Sequence, residues 1–270
     1  MKKVIALVLA ALMVFALVAC NTSKDDPSTS APDASSSSDA TEKKTLVMAT
    51  NATFPPYEYK DGDNFAGIDV EIAEKIAEKL GMTLEIQDVE FGSIVGGVQT
   101  GKFDIGMAGM TVTEERKQSV NFSDTYTTTK QVVIVKEDSE IKSLDDLKGD
   151  GSMKFGVQQD TTGDILASDT VENGGYGEEN VTRYKAATDT VQALKTGKVD
   201  AVIIDEAPAK SFVKSTDGLK ILEGTWLEEQ YAIAIAKDNT ELLEKVNTAL
   251  RELTEDGTVK SIIDKYIPAE

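Results

Sequence analysis

The chain has 270 residues and carries 47 Asp and Glu against 28 Lys and Arg, a net charge of −19. A surface this acidic repels phosphate backbones, which argues against nucleic acid as a partner. Histidine is absent and cysteine occurs once, so Ser–His and Cys–His nucleophiles and zinc held by His or Cys are excluded.

Met1-Lys2-Lys3 leads into an almost purely apolar run, residues 4–19. A basic start followed by about 15 apolar residues is the pattern of a secretory signal, and a bilayer span needs about 20. The run ends Leu17-Val18-Ala19-Cys20, which resembles the bacterial lipobox. That resemblance implies cleavage before Cys20 and a lipid on its sulfur. A lone thiol in an exported chain calls for such an explanation. Residues 21–44 are rich in Ser, Thr, Asp and Ala, show no apolar periodicity and cannot bury a core. They read as a flexible tether, with the ordered part beginning near Thr45.

From there strand and helix signals alternate, which points to α/β with mainly parallel strands. Residues 46–50 read as a buried strand. Asp69 is placed to cap a helix ending at Gly81, with Val70, Ala73, Ala77 and Leu80 as its apolar stripe. Residues 83–89 form the next strand, residues 94–100 a short helix closed by Gly101, and residues 104–108 a strand. Later, residues 190–196 read as a helix, Gly197 ends it, and residues 200–204 are a strand. The junctions Thr100-Gly101-Lys102-Phe103-Asp104 and Thr196-Gly197-Lys198-Val199-Asp200 echo each other, which suggests two lobes of like construction. Two β-branched stretches, residues 131–135 and 231–235, read as crossings between lobes. A last helix runs from an Asn239 or Thr240 cap to Gly257 with Leu242, Val246, Ala249 and Leu253 on one face.

Single cores stop growing near about 250 residues, so this length suits two domains. The expected division is a signal peptide over 1–19, a lipid-anchored tether over 20–44, one lobe from 45–130 with 229–270, and a second over 131–228. Ligands of open α/β sheets sit beyond the carboxyl ends of the strands, and two crossings permit closure around one.

Five segments, in order, carry a family resemblance: residues 49–59 (ATNATFPPYEY), 65–73 (FAGIDVEIA), 107–116 (MAGMTVTEER), 160–163 (DTTG) and 199–206 (VDAVIIDE). The chain resembles the polar amino-acid-binding proteins of ABC importers, solute-binding family 3, over essentially all of residues 45–268. The resemblance implies a two-lobe, type II periplasmic-binding-protein-like fold with two hinge crossings and a ligand cleft between the lobes. It implies that Arg116 grips the ligand's α-carboxylate, a task suited to a guanidinium fork, that Thr111 adds its hydroxyl, and that Gly109 offers a carbonyl to the ammonium. Asp205 pairs the ammonium, Phe54 and Phe91 wall the side chain, and Thr161 with Thr162 form a turn facing the carboxylate. Taken alone, Arg116 would be a solvated helix charge, Thr111 a capping box with Glu114, Asp205 a helix N-cap, and the two Phe plain core.

Asn51 and Gln158 are neutral where relatives that take cations often carry an acid at the first position. Amides both donate and accept, so a glutamine-like ligand is the first expectation, with a basic amino acid or cystine next. No cofactor or metal is expected. The partners are a small polar amino acid, an ABC permease and, through the lipid, the outer face of the cell membrane; the chain is expected to be a monomer. The competing readings are a cyclohexadienyl dehydratase-like enzyme on the same fold, with Glu58 or Asp205 as its acid, and a receptor feeding a sensor.

Overall fold

The computed structural model describes residues 44–148 and 151–268. The signal peptide, Cys20 and nearly all of the tether lie outside the described residues. Among those described, no helix is long and apolar enough to cross a membrane.

The chain begins with β1 (Thr45–Thr50) and a small antiparallel meander of β2 (Thr53–Phe54), β3 (Glu58–Asp61) and β4 (Asn64–Ala66). Then come α1 (Ile68–Leu80), β5 (Thr83–Asp88), α2 (Ile94–Gln99), β6 (Ile105–Gly106), α3 (Arg116–Ser119) and β7 (Val120–Phe122). The long β8 (Thr127–Lys136) leads to β9 (Phe155–Gln158), α4 (Thr162–Ser168), β10 (Val181–Tyr184), α5 (Ala187–Lys195), β11 (Ala201–Asp205), α6 (Glu206–Ser215) and β12 (Leu219–Ile221). The chain closes with β13 (Leu227–Tyr231), β14 (Ala234–Ala236), α7 (Thr240–Glu255) and α8 (Thr258–Tyr266).

Two main sheets result, one in each lobe. The first has the order β5-β1-β6-β14-β7 and the second β10-β9-β11-β8-β12, with β13 also on β8. β1 lies parallel to both β5 and β6, whereas β14 is antiparallel to its neighbours. Both sheets are therefore mixed. α1, α7 and α8 pack on one another through Ile72, Ile76, Val246, Leu253 and Ile262, all buried. α2 covers the other face of the first sheet, and α4, α5 and α6 cover the second.

The two echoed junctions are built alike. Gly101 and Gly197 both have φ of 73°, a left-handed turn that favours glycine. Asp104 accepts the Val47 N–H at 2.7 Å and Asp200 the Lys154 N–H at 2.8 Å. Each junction thus pins the strand that follows to the start of its neighbour, β1 in one lobe and β9 in the other.

Pairing also locates the lobe changes. β7 belongs to the first sheet and β8 to the second, so the outward passage falls in residues 123–126. β13 belongs to the second sheet and β14 to the first, so the return falls at residues 232–233. The passages lie side by side: Ser123 N–H donates to the Ile233 carbonyl at 2.9 Å, and Tyr126 N–H to the Tyr231 carbonyl at 3.1 Å. The boundaries expected at 130/131 and 228/229 fall inside β8 and β13. Residues 131–135 pair wholly with β11; their apolar run marks a central strand rather than a crossing.

Asp69 does not cap α1. Gly67 holds that position, and Asp69 lies inside the first turn, fully buried. The strand expected at 104–108 shortens to two residues, because Met107 onward turns toward the cleft. The last helix has its Asn239 cap, whose side chain accepts the Leu242 N–H at 3.2 Å.

Candidate functional site

The ends of these strands and the loops beyond them enclose one cavity between the lobes. Asn51, Phe54, Phe91, Gly109, Thr111 and Arg116 line it from the first lobe, and Gln158, Thr161, Thr162 and Asp205 from the second. The fold thus brings together every ligand-site residue expected from the sequence. Free space at the centre is about 20 Å³, room for about one water molecule. An amino acid requires the walls to part.

Arg116 opens α3, and Thr113, not Thr111, caps that turn, its hydroxyl accepting the Arg116 N–H at 3.1 Å. The guanidinium donates to the Thr111 carbonyl at 2.7 Å and, across the cleft, to the Asp160 carbonyl at 3.0 Å. Its centre sits 5.1 Å from the Phe91 ring, within cation–π range. Burial lowers its pKa, while the charges of Glu229 and Asp205 oppose that shift. A guanidinium stays charged here regardless. The two bonds engage two of its five N–H donors.

Asp205 ends β11 and occupies the N-cap position of α6, yet its side chain makes no capping bond. It accepts instead from the Gln131 amide at 3.0 Å. Burial, then the nearby charge of Glu229, pushes its carboxyl up to about 7. Glu58 lines the same cavity and is 1 % exposed. Burial and the adjacent Asp69 carboxylate hold it well above the usual carboxylate range.

Gly109 has φ of 53°, and a Cβ there would lie 3.0 Å from the Phe54 ring. Its N–H donates to Asp69 at 2.8 Å, and the same carboxylate accepts the Tyr126 hydroxyl at 2.8 Å. Asp69 therefore anchors the loop from beneath the pocket. Thr161 caps α4 and donates to the Gln158 carbonyl at 2.7 Å. Asn51 donates to the Val89 carbonyl at 2.7 Å.

Sequence reasoning missed Ala108 as a lining residue, considered Glu58 only as an acid of the enzyme reading, and missed two residues behind the wall, Gln131 and Glu229. Glu58 carries a usable signal, since it sits between two Tyr directly after the Phe54 segment. Leu227-Glu228-Glu229-Gln230 reads as an exposed polar strand, and nothing local marks Glu229 as buried.

The chain's residues 46–269 match the family model of bacterial extracellular solute-binding proteins, family 3. The chain belongs to that family. It is 36 % identical over 273 residues to the arginine-binding extracellular protein ArtP of Bacillus subtilis (strain 168), covering 100 % of both chains. Among solved structures, an ancestral arginine-binding protein bound to glutamine is 41 % identical with a TM-score of 0.76, over 84 % of this chain and 99 % of that one. The P235GK mutant of ArgBP from T. maritima is 39 % identical with a TM-score of 0.76, over 83 % and 96 %. The two-lobe α/β fold expected from the sequence is the fold of these proteins. Members of the family bind amino acids and work with ABC-transporter permeases.

Proposed function

We propose that this chain is the receptor of an amino-acid ABC importer and that its ligand is a cationic amino acid of the arginine class. The observation that carries the ligand assignment is the charge balance of the cleft. One guanidinium, Arg116, is set against the carboxyls of Glu58, Asp205 and Glu229, all buried. A zwitterion brings one carboxylate for Arg116 and one ammonium for Asp205. A second cationic group answers the remaining acid: Glu58 lines the cavity, and a cation beside it favours the ionised form that burial and Asp69 oppose. The arginine-binding relative from B. subtilis supports the same choice. This replaces the glutamine-like ligand expected from Asn51 and Gln158 as the first choice.

Glutamine stays as the second reading, on one observation. The Asn51 and Gln158 amides meet at 2.9 Å in the cleft, and a ligand amide suits both by donating and accepting. The lipid on Cys20, a single-chain state and delivery from the outer face of the membrane belong to the same proposal.

The test is a thermal-shift series on the purified chain with L-arginine, L-lysine, L-ornithine, L-glutamine and L-cystine. A ligand specific to the folded state adds about 2.7 kcal/mol of stability at a hundredfold excess over Kd. The largest shift is expected with arginine. A shift with glutamine alone selects the neutral reading. No shift with any of them, together with product formed from prephenate or arogenate, selects the enzyme.

A further inference from the structure

Behind the pocket wall a chain of buried hydrogen bonds runs through the strands that lead into the lobe passages. Thr111, in the first lobe, donates its hydroxyl to Glu229 Oε2 at 2.9 Å. The Gln131 amide donates to that same oxygen at 3.1 Å and to Asp205 Oδ2 at 3.0 Å. It also lies 3.4 Å from the Thr162 hydroxyl. Gln131 is on β8 just after the outward passage, and Glu229 is on β13 just before the return.

Glu229 lines no part of the ligand cavity and Gln131 only the smaller space adjoining it behind Phe54, Gln158 and Asp205; they are 5 % and 1 % exposed. Here the bonds run to Thr111 and Asp205, both of which line the ligand cavity. What Glu229 does have is reach: its charge acts on Arg116 on one side and on Asp205 on the other.

We propose that Glu229 and Gln131 are positioning residues that set Thr111 of one lobe and Asp205 of the other as a single ligand-binding unit. Glu229 holds the Thr111 hydroxyl of one lobe, Gln131 holds the Asp205 carboxylate of the other, and the shared Glu229 oxygen makes the two a single unit. The backbone holds the pair in register, since the Val112 N–H donates to the Gln230 carbonyl at 3.0 Å and the Ala232 N–H to the Met110 carbonyl at 3.1 Å. An ammonium beside Asp205 relieves the repulsion between Asp205 and Glu229, which one amide of the same lobe holds together. The inference rests on reading the cleft as an amino-acid site and adds to it two residues that act through Thr111 and Asp205.

The charged and titratable groups facing Asp205 are Glu229 and Tyr231 from β13, Tyr57 and Glu58 at the head of β3, and Arg116 from α3. Of these, Glu229 is the charge that acts on Asp205 most strongly. Its removal therefore leaves a signature in pH that a packing defect does not.

The experiment is isothermal titration of the purified full-length chain with L-arginine and with L-glutamine across neutral pH, for wild type, Glu229→Gln and Gln131→Ala. Glu229→Gln keeps an acceptor oxygen and removes the charge. It is expected to weaken whichever amino acid the wild type binds by about tenfold, and to move the inflection of affinity against pH downward. Gln131→Ala takes a donor from the Asp205 carboxylate and is expected to move the inflection upward. Should Glu229→Gln fail to fold, the opposite shift in Gln131→Ala carries the test. Wild-type affinity with an unmoved inflection overturns the inference, as does an affinity loss with no inflection shift in either variant. A wild-type chain that binds neither amino acid overturns the amino-acid reading itself, a distinguishable failure.

Discussion

Gln158 and Asn51 meet across the cleft, the Gln158 amide donating to Asn51 Oδ1 at 2.9 Å. The contact joins the end of β9 in one lobe to the end of β1 in the other. Asn51 Oδ1 also accepts the Thr53 hydroxyl at 2.9 Å, so its orientation is set. Asn51→Asp keeps both acceptor contacts and adds a negative charge to the wall. The expected outcome is a rise of about tenfold in the preference for arginine over glutamine, or about 1.4 kcal/mol, read by competition titration. An unchanged ratio removes this position from specificity.

Arg116→Ala deletes the only buried cation among the described residues and frees the carbonyls of Thr111 and Asp160. Affinity for any α-amino acid is expected to fall by about 3 kcal/mol or more, as when one partner of a buried pair is removed. Arg116→Lys restores charge without the fork and is expected to recover only part of it. Equal affinity in Arg116→Ala and wild type would mean that the carboxylate is held elsewhere.

Asp69 and Asp205 both have carboxyls pushed up to about 7 by burial, from an ordinary value of 3.8. The folded state therefore holds these protons more tightly than the unfolded chain does. Their contribution to stability is full below the ordinary value and is lost as pH rises through about 7. Unliganded protein should lose stability between about pH 5 and pH 7, a range in which most surface carboxylates are already ionised. Ligand ammonium favours ionised Asp205, so binding releases protons and affinity should climb toward about pH 7, then level. Denaturant melts at several pH values and titrations in buffers of different ionisation enthalpy check both signs.

Gly67 precedes α1 with φ of 126°, and a Cβ there would lie 2.1 Å from the Tyr57 carbonyl oxygen. That backbone cannot yield easily, because Ile68 and Asp69 N–H groups bond to the Pro56 and Tyr57 carbonyls at 3.0 and 2.9 Å. Gly67→Ala should destabilise the fold by about 2–4 kcal/mol, measured by urea unfolding. A change within error would show that the loop relaxes at little cost.

Cys20→Ala addresses the proposed tether. Fractionation after signal processing should find the variant released and the wild type in the membrane fraction. Retention of the variant in the membrane would refute lipid attachment at Cys20.

Much of the site was legible through the family resemblance, which rests on short local patterns. Arg116 lies at a fixed distance from Thr111 and Gly109 on one loop, and Asp205 ends an apolar strand. Such spacing survives into three dimensions because strand ends and helix starts are local structures. The echoed junctions around Gly101 and Gly197 were legible for the same reason, as a left-handed cap followed by a strand-pinning Asp. Asp69 was misread because its position suits a cap by local rules; the Gly109 loop and Tyr126, distant in sequence, draw it inside instead.

By itself, then, the sequence determined the alternation of strands and helices, the two-lobe plan and ten of the pocket's residues. The alternation depends on periodicity and capping, and the pocket residues on the family resemblance carried by five short motifs. Tertiary structure decided the outward passage, at residues 123–126 rather than 131–135, since an apolar β-branched run marks a buried strand whether or not it crosses, while the return at 232–233 lies within the expected 231–235. It also decided that Gln131 and Glu229 lie behind the wall, and that Glu58 is buried beside Asp69. The burial of a polar side chain depends on which distant strand pairs with its own, and strand pairing is a long-range property.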